Sequence, residues 1–552
     1  MKKIIKRCFG ITLVLILTSL QSLSAQASPS LNFNEFNIPF SRIGAPTTTM
    51  QVTPDNQTVF FRVFETQNRA AIYRALVSNP AAVERVSVAA NSNSINGTDF
   101  RFTINSSGSH LLYTVQASPQ NQFQLYSYNI ATRQNIRLSG VNSSTRPRFV
   151  INETENQVVF IEVESGIGRL VAAPINGSTP AQVLATTEVG QTLGTSFLEG
   201  DFFIAENSQR VLYYLESDSG DQRDLFSVNL DANDPTPVKL NSLPNNDADQ
   251  IQRLQLFNND SQVIYRVTNP NSNSNLFSVP VDASSAPLQV SEQQIDSLGV
   301  RARAWFVGNQ EQRVIYTVGS SSNSRLLSST LETTPIHTRL DNDTNRILNL
   351  GLLSQIPQTN QITYLSESPP DSDLIDLYRV DVSGGVPQKI NDDGTEVLNT
   401  YFGNGSTFLY TRQQRDTAAD FQFQLIRYDA LTNQNEVLTP ARPYPTSISP
   451  QSILSPNGEF IYLVSNLANE NQSDLFQVPI SGSGAVVMVN QAIPNDHFID
   501  LNTIIINDSL IVYRHRGPDG IATPYFVNRE PDDDITFFVI KARNGNTFVI
   551  GL

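Results

Sequence analysis

Four histidines, His110, His337, His497 and His515, are the only imidazoles in the chain. No two stand at the His-x-x-x-His spacing that puts two ligands on one metal. The carboxylates do cluster. Glu216 lies near Asp218, Asp221 and Asp224; Asp371 near Asp373 and Asp376; Asp392 beside Asp393; and Asp532-Asp533-Asp534 form a run. Closely spaced acids suit a hard cation that takes oxygen ligands, so Asp371, Asp373 and Asp376 are candidates for calcium. No cluster has the Asp-x-Asp-x-Asp-Gly pattern with a glutamate at the twelfth position. The plainer reading is solvated turns on an acidic surface. The Gly-x-Ser-x-Gly turn that exposes a nucleophilic serine is absent. Cys8 is the single cysteine. The sequence therefore nominates no catalytic residue and no cofactor-binding residue, and calcium is the one cofactor it suggests.

The elements that would position these residues repeat along the chain. Ten short apolar strands end on an aromatic ring: Phe61, Tyr113, Phe160, Tyr213, Tyr265, Tyr316, Tyr364, Tyr410, Tyr462 and Tyr513. The spacings run from 46 to 53 residues, a period that marks a repeat architecture. Most rings follow two apolar residues, as in Val158-Val159-Phe160. Side chains alternate across a strand, so three apolar residues in a row fill both of its faces. Ten to fifteen residues on comes a second signal, such as Leu225-Phe226-Ser227-Val228 or Leu377-Tyr378-Arg379-Val380. A third closes the unit, as in Ile136-Arg137-Leu138 and Val238-Lys239-Leu240. A weaker strand precedes each ring. Four strands per unit with polar turns predict an all-β propeller of four-stranded antiparallel blades, with about ten repeats most simply in one ring. The ten rings read as core, not as a ligand box. Asn105-Ser106-Ser107-Gly108 and Ser455-Pro456-Asn457-Gly458 are turns in which the last residue can take a positive φ.

Ser455-Pro456-Asn457-Gly458-Glu459-Phe460-Ile461-Tyr462, followed by Asp474-Leu475-Phe476-Gln477-Val478 and Gly482, resembles the TolB-like, WD40-like PD40 repeat. That family has a Ser-Pro-Asp-Gly turn before an apolar strand, then an Asp-Ile-Tyr strand leading to a Gly-Gly turn. Thr53-Pro54-Asp55-Asn56 and Asp376-Leu377-Tyr378, with Gly384-Gly385, match in part. The resemblance implies a propeller. It implies no activity, because one fold serves many functions. TolB itself carries an α/β domain before its propeller, and residues 28–47 are too few for one.

Residues 1–27 read as a secretory signal peptide. Lys2, Lys3, Lys6 and Arg7 open it, an apolar stretch runs from Phe9 to Leu20, and cleavage is expected after Ala27. Residues 28–552 then form the propeller, exported by the general secretory route to the periplasm or outside the cell. No transmembrane segment is expected after cleavage, since no later run reaches about twenty apolar residues. The remaining part holds no cysteine, so it needs neither disulfides nor a reducing compartment. Removing the four bases leaves 33 against 52 acids, or −19. That balance opposes nucleic acid and favours a cationic partner.

The enzyme classes built on propellers each lack their marks. A prolyl-oligopeptidase-type enzyme needs a hydrolase domain, sialidase-type turns end in Thr-Trp, and quinone-dependent dehydrogenases use several tryptophans; this chain has only Trp305. The expectation is a non-enzymatic scaffold that binds a protein or a glycan. The alternatives are a glycan lyase or hydrolase with carboxylates converging on the central channel, and a structural surface or adhesin component. The loops expected to carry binding are 366–376, 412–424 and 465–474. They hold Glu367, Asp371, Asp373, Asp376, Asp416, Asp420, Glu470 and Asp474, with Arg412 and Arg415 as their only bases. The fourth strand of the tenth unit is expected at Ile535 to Ala542. Either residues 547–552 or Leu31 to Phe36 should pair across the chain ends and seal the ring.

Overall fold

The computed structural model describes residues 30–32, 538–541 and 547–550 and, apart from stretches in the connections between strands, residues 50–528. These residues form strands throughout, with a single turn of 3-10 helix at Glu206–Ser208. The strands make antiparallel sheets of four, or of five in sheets 4, 7 and 8, numbered here in chain order. Sheets 1 to 5 span residues 50–85, 102–137, 149–186, 191–239 and 250–289. Sheets 6 to 10 span 306–339, 346–389, 395–443, 453–488 and 498–528. Sheets 4 and 5 are joined by one parallel pair, Arg223 with Gln250. The chain divides into two compact units: residues 37–450 hold sheets 1 to 8, and residues 1–36 with 451–552 hold sheets 9 and 10.

Each aromatic ring named above sits on the second strand of its sheet and is buried. In six sheets the residue directly opposite on the third strand is also aromatic, and in five of them, among the described residues, the two rings stack. Tyr113 with Tyr126 and Tyr265 with Phe277 have centroids 5.8 Å and 5.9 Å apart. Such pairs add to the burial of apolar area.

Successive sheets pack face to face, and this explains strands that are apolar on both sides. Leu111, Tyr113 and Val115 face Phe60 and Ile72 of sheet 1, while Leu112 and Leu125 face Val158 and Phe160 of sheet 3. The same alternation continues to sheet 8 within the first unit. Tyr462 and Tyr513 share one cluster in the second unit.

The turns before the second strands follow the sequence expectation. Gly108 and Gly458 have φ of 69° and 71°. In each turn a side chain at the start receives the backbone N–H that resumes the strand: Asn105 from His110, and Ser455 from Phe460. Adjacent turns are tied to one another by carboxylates. Glu153 accepts from Ser106, Glu206 from Thr154, and Asp260 from Asn207.

The ends of the chain meet expectation in one respect, the pairing of the segment at Leu31 with the last sheet, and depart from it in another. Residues 538–541 do not complete sheet 10. They form a separate two-stranded hairpin with Thr547–Ile550. The fourth strand of sheet 10 is Ser30–Asn32, antiparallel to Ala522–Asn528, with Leu31 opposite Phe526. An apolar run marks a segment as strand-forming, but the partner it pairs with is set by register and reach.

Candidate functional site

Nine sheets share one arrangement where the fourth strand ends. A backbone N–H of the third strand donates to a small polar side chain about fifteen residues later. The donors are Ile72, Leu125, Gly168, Leu225, Leu276, Leu326, Leu377, Leu425 and Leu475. The acceptors, in the same order, are Ser87, Ser139, Thr187, Asn241, Ser291, Asp341, Asn391, Thr439 and Asn490. All nine acceptors are buried. In most sheets the residue just before the acceptor is aliphatic and returns its own N–H to the carbonyl of the donor, as Leu240 does to Leu225 and Ile390 to Leu377. Each sheet is thus closed by a two-way clamp. A buried N–H left without such a partner would cost about 1–3 kcal/mol.

The clamp draws in two acids expected on the binding loops, Asp376 and Asp474, and one from the Glu216 cluster, Asp224. Asp376, Asp224 and Asp474 each stand beside a clamped leucine and each accept from the clamp asparagine. Asp376 and Asp474 are buried. Asp376 also pairs with Lys389 at 3.0 Å, and Asp224 with Lys239 at 2.9 Å. Burial works against the Lys389 charge, but its bonds to Asp376 and Asp393 outweigh this and raise its pKa. Of the calcium candidates, Asp371 and Asp373 lie outside the described residues, and Asp376 is part of the sheet's own wiring. Among the described residues, no three His, Cys, Asp or Glu side chains are grouped as metal ligands would be.

Two of the expected loops are largely strand. Thr407–Arg415 pairs with Phe421–Asp429 along its whole length, so only residues 416–420 connect them. Phe460–Asn469 and Gln472–Pro479 leave two residues between them. In the third, strands reach Glu367 and resume at Ile375. Asp416 and Asp420 lie outside the described residues; Arg412 pairs with Asp392 and donates to Gln424 at 2.8 Å. Glu216 likewise pairs with Arg223 at 3.0 Å. The run 532–534 lies outside the described residues.

The core tyrosines differ in what their hydroxyls do. Tyr113 donates to Asn135 at 2.6 Å and accepts the N–H of Val88, on the connection arriving from sheet 1. Tyr316 accepts the N–H of Glu292, on the connection arriving from sheet 5, and lies 3.0 Å from Ser329. The hydroxyls of Tyr265, Tyr364 and Tyr410 are buried with no hydrogen-bond partner among the described residues. Burial raises the pKa of all these phenols. His110 is held by Ser109 and Asn129, with its pKa lowered by burial. His337 meets Ser329. His497 lies outside the described residues, and His515 pairs with Ile499 in sheet 10.

No family model matches this chain, and no curated protein is similar to it. Among solved structures it is similar to a chain from a study of two prolyl endopeptidases and their inter-domain dynamics. The identity is 11% and the TM-score 0.33, over 70% of this chain and 56% of that one. The chain therefore spans little more than half the length of that structure.

Proposed function

We propose that the sheets close into one propeller ring of about ten blades and that the protein is an exported, non-enzymatic binding scaffold. Face-to-face stacking of successive sheets supports the propeller, as does the joining of the N-terminal strand to the last sheet. The PD40-like turns support the same reading. The basic, apolar and small-residue segments of residues 1–27 support export to the periplasm or the cell exterior. No helix among the described residues is long and apolar enough to cross a membrane.

The observation that carries the scaffold reading is the internal use of the carboxylates. Asp224, Asp376 and Asp474 hold clamps, and Glu153, Glu206 and Asp260 tie turns together. Acids placed this way serve rigidity, and a rigid body presenting loops is suited to binding. The partner is a protein or a glycan region bearing positive charge, drawn by a chain with a net charge of −19 once residues 1–27 are removed. Calcium on Asp371 and Asp373 is a weaker form of the same idea. Recruiting Asp376 as well would require displacing Lys389 and Asn391.

The test is crosslinking capture from native envelope by residues 28–552, read by mass spectrometry at several salt concentrations. Asp371→Asn with Asp373→Asn leaves the clamp acid intact and should weaken capture and flatten its salt dependence. Capture that ignores both salt and these substitutions would remove the acidic face from the account. Release of new reducing ends or unsaturated sugars from polysaccharides would make the protein a glycan-cleaving enzyme instead. A large homo-oligomer on size-exclusion chromatography would favour the surface component.

A further inference from the structure

The connection between sheets 5 and 6 is fastened by a chain of hydrogen bonds that ends on a histidine. Glu292 donates its N–H to the Tyr316 hydroxyl at 3.1 Å. The Tyr316 hydroxyl is 3.0 Å from Ser329 Oγ, and Ser329 Oγ meets His337 Nδ1. Each hydroxyl carries one hydrogen. The three hydrogens, on Glu292 N and on the two hydroxyls, all find acceptors when Tyr316 donates to Ser329 and Ser329 donates to Nδ1, which also lies 3.4 Å from the Tyr316 hydroxyl. This order requires an unprotonated Nδ1. Ser329 and Tyr316 are fully buried, so water offers no ready substitute partner.

We propose that His337 is a pH-sensitive latch: protonation at Nδ1 breaks the chain and frees the connection around Val290 to Glu292 from sheet 6. A protonated Nδ1 becomes a donor aimed at Ser329 Oγ. The serine must then turn its hydrogen elsewhere, and the bond from Tyr316 competes with the new one. The charged group facing the imidazole is Glu292, on the incoming connection, and Tyr316 is the titratable group on its own sheet. Sheet 5 offers this seam the apolar Phe257, Ile264, Leu276 and Val290. Burial lowers the pKa of His337, and Glu292 opposes that only in part. The unfolded chain therefore takes up this proton first as the pH falls. The latch's contribution is present above the ordinary histidine pKa and is lost as the pH drops toward the lowered value. The latch does not depend on the binding role proposed above.

Hydrogen exchange resolved to the Glu292 amide, by mass spectrometry with residue-level fragmentation, tests it. After correction for intrinsic rates, protection should fall at least tenfold between pH 7 and pH 5. In His337→Asn, whose side-chain oxygen can still accept from Ser329 but does not titrate, protection should persist at both pH values. In Tyr316→Phe it should be low at both. Unchanged protection in the parent chain from pH 7 to 5 would overturn the latch. So would an equal loss in His337→Asn, or parental behaviour in Tyr316→Phe.

Discussion

Asn391 and Asp376 sit side by side at the close of sheet 7, the amide Nδ2 donating to the carboxylate at 3.0 Å while the amide oxygen receives the Leu377 N–H at 2.8 Å. The identity of one residue constrains the other. Where aspartate precedes the clamped leucine, at Asp224, Asp376 and Asp474, the clamp is asparagine, which can donate to it. Where Asn275 precedes it, the clamp is Ser291; where Arg325 does, it is Asp341. Gln124 and Gln424 go with Ser139 and Thr439. The repeats differ in residues and agree in hydrogen-bond logic.

Asn391→Ala strips the acceptor from a buried N–H and the donor from a buried carboxylate, so it should destabilise by about 2–4 kcal/mol. Asn391→Ser restores an acceptor of the kind used at Ser291 and should recover part of that loss. Denaturant unfolding monitored by far-UV circular dichroism would compare them. Equal losses would mean that the clamp oxygen contributes nothing.

Lys389 bridges two acids of very different setting, Asp376 in the sheet and the fully exposed Asp393. Asp376→Asn should lower stability by about 1–3 kcal/mol, because a buried carboxylate with two partners is lost. Asp393→Asn should leave the thermal midpoint unchanged. If both variants behave alike, Asp376 is not held as described.

Removing a phenol hydroxyl separates tyrosines that look alike in sequence. Tyr113→Phe should cost about 1–2 kcal/mol, since Val88 and Asn135 both lose a partner. Tyr265→Phe should fall within about 0.5 kcal/mol of the parent or gain slightly, because its hydroxyl has no hydrogen-bond partner among the described residues. Tyr265→Ala should cost about 3–5 kcal/mol through the cavity it leaves. Melting the three variants side by side decides between hydroxyl and ring contributions.

Two glycines with left-handed backbones distinguish strain from collision. At Gly177, φ is +63° and an added Cβ would lie 2.7 Å from Ile136 Cγ2 on the neighbouring sheet. Gly166 has φ of +81° with open space around it. Gly166→Ala should cost about 1 kcal/mol and Gly177→Ala about 1–3 kcal/mol. Pairing Gly177→Ala with Ile136→Ala should return Gly177→Ala to the Gly166 value if collision is the cause.

The ten rings were legible because a doubly apolar strand has few settings other than the space between two packed faces. The clamp was not, although Ser87, Ser139, Asn241 and Ser291 recur at the same period as the rings. A small polar residue after a strand also suits a solvated turn, and composition alone does not reveal a buried N–H waiting beside it. Residues 412–415 and 421–424 looked like loop for a related reason. Arg412-Gln413-Gln414-Arg415 has no apolar residue to mark a strand, so the alternation of Phe421-Gln422-Phe423-Gln424 opposite it has no partner pattern although the backbone pairing continues. Closing strands were confused for a third reason. Ser30–Asn32 carries one apolar residue in three, whereas 538–541 is the more apolar segment and pairs elsewhere.

The shortest fourth strands, Val238–Lys239, Leu288–Gln289, Gln388–Lys389 and Val487–Met488, have two residues each and end just before the clamp. A strand so brief can peel from its sheet with little cost, yet the residues just after it stay pinned. The sheet edge can then fray without drifting in register, and re-zipping starts from a fixed point. A sequence-distant partner that briefly displaced such a strand would find the vacated edge only two residues long. That is too short a template for stable strand addition, so fraying at the sheet edge does not become an invitation to aggregate.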